Sequence, residues 1–280
     1  MIGITKVKPG KGVSLEEHPV LQPEGDEVLI KVKVSGMCGS DLALYEMNQP
    51  ETNRWLTLPR IIGHEFCGVV ESVGSQVTKF QQGDRVSCET HIPCMTCQTC
   101  QTGKAHICPH QKNIGRTVNG SLAEYITIPE RSVRKAPPKL TDHEVAMLEP
   151  LGVAVHAVRE KNMVGENVLI LGCGPVGLMA IAVAKAFGAG RVFATSRTPD
   201  KLQKARDMGA DQVFQASDDD LIKSILSEAK SFGVSTVIDM SGNEHAMKQG
   251  IEVLSPGGTM ILVGIPSKEI SWDVLEHSIP

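Results

Sequence analysis

The order of patterns in its second half constrains most what this chain can fold into. A short apolar run at 167–171 passes at once into Gly172-x-Gly174-x-x-Gly177, and helical spacing follows over 176–187. Strand and helix patterns then alternate. Strands are predicted at 191–195, 212–214, 236–240 and 259–263, and helices at 199–208, 219–231 and 244–254. Right-handed crossovers set successive strands of such a series side by side, so the expected fold class is α/β with a doubly wound parallel sheet. Each glycine then has a physical reason to be there. Gly172 allows the tight turn, Gly174 lets backbone approach a pyrophosphate, and Gly177 permits close packing of helix on strand. The helix N-terminus faces the anion. The pattern predicts a dinucleotide site; the competing reading is a glycine-rich turn with no ligand.

Which dinucleotide is set about twenty residues on, where an NAD site carries Asp or Glu against the ribose 2′-hydroxyl. This chain has Thr195-Ser196-Arg197-Thr198 there. A carboxylate would repel a 2′-phosphate, whereas a hydroxyl followed by a guanidinium bonds and neutralises it. NADP is therefore favoured over NAD, with Ser196 and Arg197 as the contacts and Lys201 adding charge. The alternative is that Arg197 is only a solvated loop residue.

The first half has another character. Short strands at 27–35, 68–73, 85–88 and 122–128 are separated by turn signals, which predicts a β-rich domain. Near Pro137 and Pro138 the pattern changes, and helical spacing over 142–158 starts at Thr141 and Asp142. A boundary near 150 divides the chain into domains 1–150 and 151–280. The 280 residues have room for both, and 41% hydrophobic with 4% aromatic residues suits an interior of small aliphatic side chains. Net charge is −4 with no basic run, which argues against nucleic acid as a partner. The longest apolar stretch, 176–184, is too short to span a bilayer, so no membrane role is expected.

Cys94, Cys97, Cys100 and Cys108 are spaced C-x2-C-x2-C-x7-C. Four thiolates gathered over so short a span form the closed tetrahedral shell that Zn2+ takes in structural sites. An iron–sulfur cluster is the alternative, since Pro109 follows Cys108 as it does in ferredoxin-type runs. Disulfides are not expected: no apolar signal segment opens the sequence, and Cys38, Cys67, Cys88 and Cys173 are scattered as in a reduced protein, which points to the cytoplasm. A second candidate set joins Cys38, in Cys38-Gly39-Ser40-Asp41, to His64 and Glu65, in Gly63-His64-Glu65. Cysteine, histidine and carboxylate can hold one zinc and leave a position open. Taken singly, His64 reads as a core histidine and Cys38 as an inert buried thiol.

Together these motifs resemble those of the zinc-dependent medium-chain dehydrogenases/reductases, the alcohol dehydrogenase family, and are most similar to its threonine and polyol (sorbitol) branches. The resemblance runs from Lys6 to the end. It is carried by Cys38-Gly39-Ser40-Asp41, Gly63-His64-Glu65, the four-cysteine lobe, Glu149-Pro150-Leu151-Gly152 and Gly172-x-Gly174-Pro175-Val176-Gly177. It implies a GroES-like catalytic domain followed by a Rossmann domain, with a catalytic zinc in the cleft between them. By that resemblance Cys38, His64 and Glu65 are zinc residues, and Glu149 either binds the metal or holds its water. Ser40 begins a proton relay, His91 matches a histidine near the substrate, with packing of the cysteine lobe as its other reading, and Gly172, Gly174, Pro175, Val176 and Gly177 bind the cofactor. Two departures stand out. Where many relatives have a relay histidine this chain has Ala43, and it ends at Pro280 after five Rossmann strands, where the fold normally has six. A shortened chain is thus expected, lacking the strand through which many relatives form homo-oligomers.

The function expected is NAD(P)-linked hydride transfer between a small secondary alcohol and its ketone, with zinc in one structural and one catalytic site. An NAD-linked threonine or polyol dehydrogenase is the nearest alternative. An inactive protein that binds nucleotide and zinc is the alternative from another class.

Overall fold

The computed structural model describes residues 1–47, 56–230, 232–266 and 268–271. Two compact units are present, Met1–Glu149 and Pro150–Pro280.

The first unit carries β1 (Ile2–Lys6), β2 (Ser14–Glu17), β3 (Glu27–Ser35), α1 (Gly39–Glu46), β4 (Arg60–Ile61), β5 (Phe66–Val73), β6 (Arg85–Cys88) and β7 (His91–Ile92). These are followed by α2 (Gln98–Gln101), β8 (Lys112–Asn113), β9 (Tyr125–Pro129), β10 (Val133–Lys135) and α3 (Asp142–Ala146). Its main sheet has the order β10-β6-β5-β3-β9, flanked by the small sheets β2-β1-β4 and β7-β8. Val28 and Ile30 of β3, Phe66 and Val70 of β5, Val86 of β6 and Ile126 and Ile128 of β9 alternate inward to form one core. The strand predicted over 122–128 begins at Tyr125, because Leu122 and Glu124 spend their backbone bonds elsewhere. Leu122 N–H donates to Ile62 O, Ile4 N–H donates to Leu122 O, and Glu124 N–H donates to Ile2 O.

The helix predicted over 142–158 is in fact two, α3 and α4 (Leu148–Arg159). Pro150 is the cause. It has no N–H for the carbonyl of Ala146, so a continuous helix would be broken there, whereas in the first turn of a new helix that N–H is not needed. Thr141 and Glu144 close the start of α3 in a reciprocal capping pair.

The second unit continues with β11 (Asn167–Leu171), α5 (Pro175–Ala186), β12 (Arg191–Ser196), α6 (Pro199–Asp207), β13 (Gln212–Gln215), α7 (Leu221–Ala229), β14 (Val234–Asp239), α8 (Glu244–Glu252) and β15 (Leu254–Leu262). All five strands run parallel in the order β13-β12-β11-β14-β15. Val168 and Ile170 of β11 pack on one side, with residues of α4 and α5, and Leu169 and Leu171 pack on the other, with residues of α7. Both faces of the strand are covered, which is why its sequence is an unbroken apolar run. Connections reverse direction at β11 and β14, so the carboxyl ends of these two strands form the crevice where ligands bind in open sheets of this kind. Among the described residues no helix is long and apolar enough to cross a membrane.

Candidate functional site

The four-cysteine lobe is strung between β7 and β8. Its sulfurs all lie within 4.8 Å of one another. Cys97 Sγ is 3.5 Å from Cys100 Sγ and 3.8 Å from Cys108 Sγ, and Cys108 Sγ is 3.6 Å from Cys94 Sγ. These separations are far beyond a disulfide of about 2.05 Å. They match the edge of a tetrahedron with metal–sulfur bonds of about 2.3 Å, roughly 3.8 Å. A cluster that gives each thiolate its own iron spreads its sulfurs more widely, so the lobe fits a single ion. Hydrogen bonds from the Thr96 backbone and hydroxyl pull the Cys94 thiol down, while burial pushes Cys100 up. Four sulfurs this close can all be thiolate only around a cation.

The second set is assembled by α1 and the turn before β5. Cys38 caps α1: its Sγ accepts from Ser40 N–H at 3.5 Å, and its own N–H donates to Asp41 Oδ2 at 3.0 Å. The buried Asp41 carboxylate also reaches across the chain. Oδ1 accepts from Gly63 N–H at 3.1 Å and lies 4.0 Å from His64 Nδ1. Gly63 has φ +92°, and a Cβ there would sit 2.6 Å from Leu122 Cγ, so only glycine turns the chain into His64. His64 O accepts from Cys88 Sγ, and Glu65 O accepts from Gly36 N–H at 2.6 Å and from Ser35 Oγ at 3.1 Å. The outcome is that donor atoms of Cys38, His64 and Glu65 lie within 4.8 Å of one another.

Glu149, at the start of α4, is not in that 4.8 Å group but shares its field. Burial pushes its carboxyl up to about 7, with Glu65 and Glu89 adding repulsion and His64 and His91 opposing it. Burial likewise pushes the Cys38 thiol and the Glu65 carboxyl up. Thiol, imidazole and two carboxylates held partly out of water carry negative charge that a divalent cation would offset, so the donor set fits zinc. Ser40 is half-buried on the first turn of α1, two residues from Cys38. His91 is held in β7, with Nδ1 2.7 Å from Glu89 Oε1.

In the second unit a cavity of about 750 Å3 opens at the carboxyl ends of β11, β12 and β14. Gly172, Gly174, Ser196, Arg197 and Lys201 line it, as does His245 of α8. Pro175, Val176 and Gly177 do not line it; they form the first turn of α5 behind. Gly177 is there for packing, since a Cβ on it would lie 2.0 Å from Gly172 O. No side chain caps α5 at Gly174, which leaves N–H groups of its first turn free of a side-chain partner. Among the described residues no Asp or Glu lines the cavity, and neither Arg197 nor Lys201 pairs with a carboxylate.

Comparison with known proteins follows the same division. Residues 24–138 match the alcohol dehydrogenase GroES-like domain, and residues 175–278 match the zinc-binding dehydrogenase domain. The chain is 38% identical over 272 residues to an L-threonine 3-dehydrogenase of Caldanaerobacter subterraneus, covering 97% of this chain and 78% of that protein. It belongs to the zinc-dependent medium-chain dehydrogenases. Within that family it is 37% identical over 273 residues to the L-threonine 3-dehydrogenase of Pyrococcus horikoshii, covering 98% of this chain and 78% of the relative. A zinc-binding dehydrogenase from Sinorhizobium meliloti 1021, solved bound to NADP, superposes with a TM-score of 0.90 at 28% identity, covering 99% of this chain and 81% of that one. Galactitol-1-phosphate dehydrogenase from Escherichia coli gives 0.88 at 30% identity, with 99% and 81% covered.

Two residues of this dehydrogenase escaped the sequence reading. Asp41 stands in a quoted motif, yet its bond to Gly63 joins segments that only the fold brings together. Asp239 ends β14 fully buried. Its Oδ1 accepts from the N–H and hydroxyl of Ser241, and its Oδ2 accepts from Gly242 N–H, shaping the loop that lines the cavity. A lone acid closing an apolar strand before Ser-Gly-Asn was the available signal.

Proposed function

We propose that this protein transfers a hydride between a secondary alcohol, of polyol or hydroxy-amino-acid type, and a nicotinamide dinucleotide, with NADP preferred to NAD. The observation that carries the reading is the convergence of Cys38, His64 and Glu65 in the GroES-like unit of a medium-chain dehydrogenase. Cys38, His64 and Glu65 would hold a catalytic zinc, with Glu149 beside them, and Cys94, Cys97, Cys100 and Cys108 a structural one. Bound zinc supplies a Lewis acid that lowers the pKa of an alcohol. Around it, the chain's own groups set the charge and the proton path. The Asp41 carboxylate fixes the cap at Cys38 and the turn at Gly63. The Ser40 hydroxyl would accept a proton from the alcohol, and Glu149 would tune the negative field. In the Rossmann unit, Gly172 and Gly174 would leave room for the pyrophosphate, while Ser196, Arg197 and Lys201 would meet a 2′-phosphate in a cavity that no Asp or Glu lines among the described residues.

A second reading, an NAD-linked threonine dehydrogenase, is favoured by the name shared by the relatives at 37–38% identity. The assignment of residues 1–150 to catalysis and 151–280 to the dinucleotide, and a cytoplasmic setting supported by eight unpaired thiols, belong to the same proposal. Assay of L-threonine, sorbitol and simple secondary alcohols with both cofactors tests it. We expect turnover with at least one pair, and expect His64→Ala to abolish it while leaving dinucleotide affinity intact. Near-normal turnover in His64→Ala would defeat the reading.

A further inference from the structure

An exposed arginine recognises a phosphate best when the main chain beneath it is already held in place. We infer that Gln215 is a positioning residue for the choice of dinucleotide: its side-chain amide fastens the turn that carries Arg197 to the loop that carries Ser217, and so holds the guanidinium where a 2′-phosphate would bind. The inference rests on the preference for NADP proposed above and deepens it, since it names what keeps that part of the cavity in shape.

The arrangement begins with the parallel ladder. Ser196 and Gln215 are register partners, the last residues of β12 and β13, so their side chains stand on the same face of the sheet. Beyond them the two strands part. Ser196 leads through Arg197 and Thr198 into α6, and Gln215 leads through Ala216 and Ser217 toward α7. Ala216 N–H still donates to Ser196 O at 2.9 Å, and Thr198 N–H donates to Ser196 Oγ at 3.2 Å. Gln215 supplies the remaining tie: its Nε2 lies 2.9 Å from Arg197 O and 3.3 Å from Ser217 Oγ. A carbonyl can only accept, so the amide nitrogen is the atom that faces it, and its two hydrogens match the two oxygens. Among the described residues the Arg197 carbonyl takes no other bond.

What the tie does for a ligand follows from exposure. Arg197 and Ser217 are exposed and line the cavity, whereas Gln215 is half-buried and does not line it. Its part is therefore to act through the residues it holds. A long, flexible side chain loses freedom when it closes on an anion, and fixing the backbone in advance makes that loss smaller. The gain falls to NADP alone, because the 2′-hydroxyl of NAD offers the guanidinium no charge to meet.

The test titrates the zinc-loaded protein with NADPH and NADH by their fluorescence. Gln215→Met keeps the length without the donor and should weaken NADPH by roughly 3- to 10-fold, the range for one net hydrogen bond, with NADH affinity and Tm little changed. Gln215→Glu removes the hydrogens and adds a like charge near the phosphate, so NADPH should weaken further while NADH holds. In an Arg197→Ala background Gln215→Met should cost nothing more, a coupling that a merely structural role would not show. Backbone nitrogen-15 relaxation reads the turn without nucleotide: the Arg197 amide should become more mobile in Gln215→Met. Equal weakening of both nucleotides, full NADPH affinity in Gln215→Met, the same loss with and without Arg197, or an unchanged Arg197 amide overturns the inference. If the unaltered protein binds NADH as tightly as NADPH, it is the NADP reading that fails, and the relaxation still decides whether Gln215 fixes the turn.

Discussion

At the scale of single residues, charge separates the two cofactors. The Arg197 guanidinium lines the cavity and spends no bond on a carboxylate among the described residues, so it is free for a 2′-phosphate. Arg197→Ala should weaken NADP by about 1.5–3 kcal/mol, the range for a hydrogen bond to a charged group, and leave NAD nearly unchanged in a fluorescence titration. Equal loss for both nucleotides would show that Arg197 meets something other than the phosphate. Glu149 makes a pH prediction. Its carboxyl stands near 7 in the fold against about 4.5 in the open chain, so between those values the native state holds more protons. Stability of the zinc-stripped protein should therefore fall as pH rises from about 4.5 to 7. Glu149→Gln should remove much of that fall, giving a higher Tm than the parent at about pH 8 and a smaller difference at about pH 4.5. That Ser196 and Arg197 stand at the mouth of the cavity was legible from spacing, because Ser196 ends a strand whose place follows from Gly172 and Arg197 comes next. The bonds of Asp41 and Asp239 were not, because each is a specific hydrogen-bond geometry that side-chain type and spacing do not give.

Among the elements, α1 depends on a buried cation. Lys6 of β1 is fully buried, and its ammonium donates to the carbonyls of Gly10, Gly12 and Tyr45, the last in the final turn of α1. Burial lowers its pKa, opposed by Glu46. A cation at a helix C-terminus suits the dipole, and here it also fastens the helix that starts at Cys38. Lys6→Met keeps the bulk but leaves those carbonyls without their donor, at a cost of about 2 kcal/mol. We expect a lower denaturation midpoint and weaker zinc retention at the Cys38 group, with the four-cysteine lobe still loaded. A midpoint equal to the parent's would show that the loop adjusts and supplies other donors. The central strand β11 was readable because both of its faces are apolar, and the periodicity of α5 to α8 marked the helices between the strands. The break between α3 and α4 was not read, although Pro150 is plain in the sequence. Apolar spacing continues across it, and spacing reports which face is buried, not whether one axis persists.

For the whole molecule the separable quantity is metal content. Two donor sets in one unit predict about two zinc ions per chain by elemental analysis. Cys97→Ser should remove one of them and lower Tm, with dinucleotide affinity unaltered, since the described residues that line the cavity all belong to the other unit. Iron in place of zinc, or a folded protein without either, would contradict the fit of the lobe to a single tetrahedral ion. The family and the two-part architecture were legible because several short motifs stand in fixed order along the chain. What the motifs do to one another was not, and Asp41 shows why. One carboxylate joins the peptide at Cys38 to the peptide at Gly63, which are inherited as separate stretches of gene. Neither stretch can therefore drift alone. A chimaera that took residues 1–50 from one relative and the remainder from another would keep its donor group only if the first parent brought an acid at this position and the second a glycine to meet it.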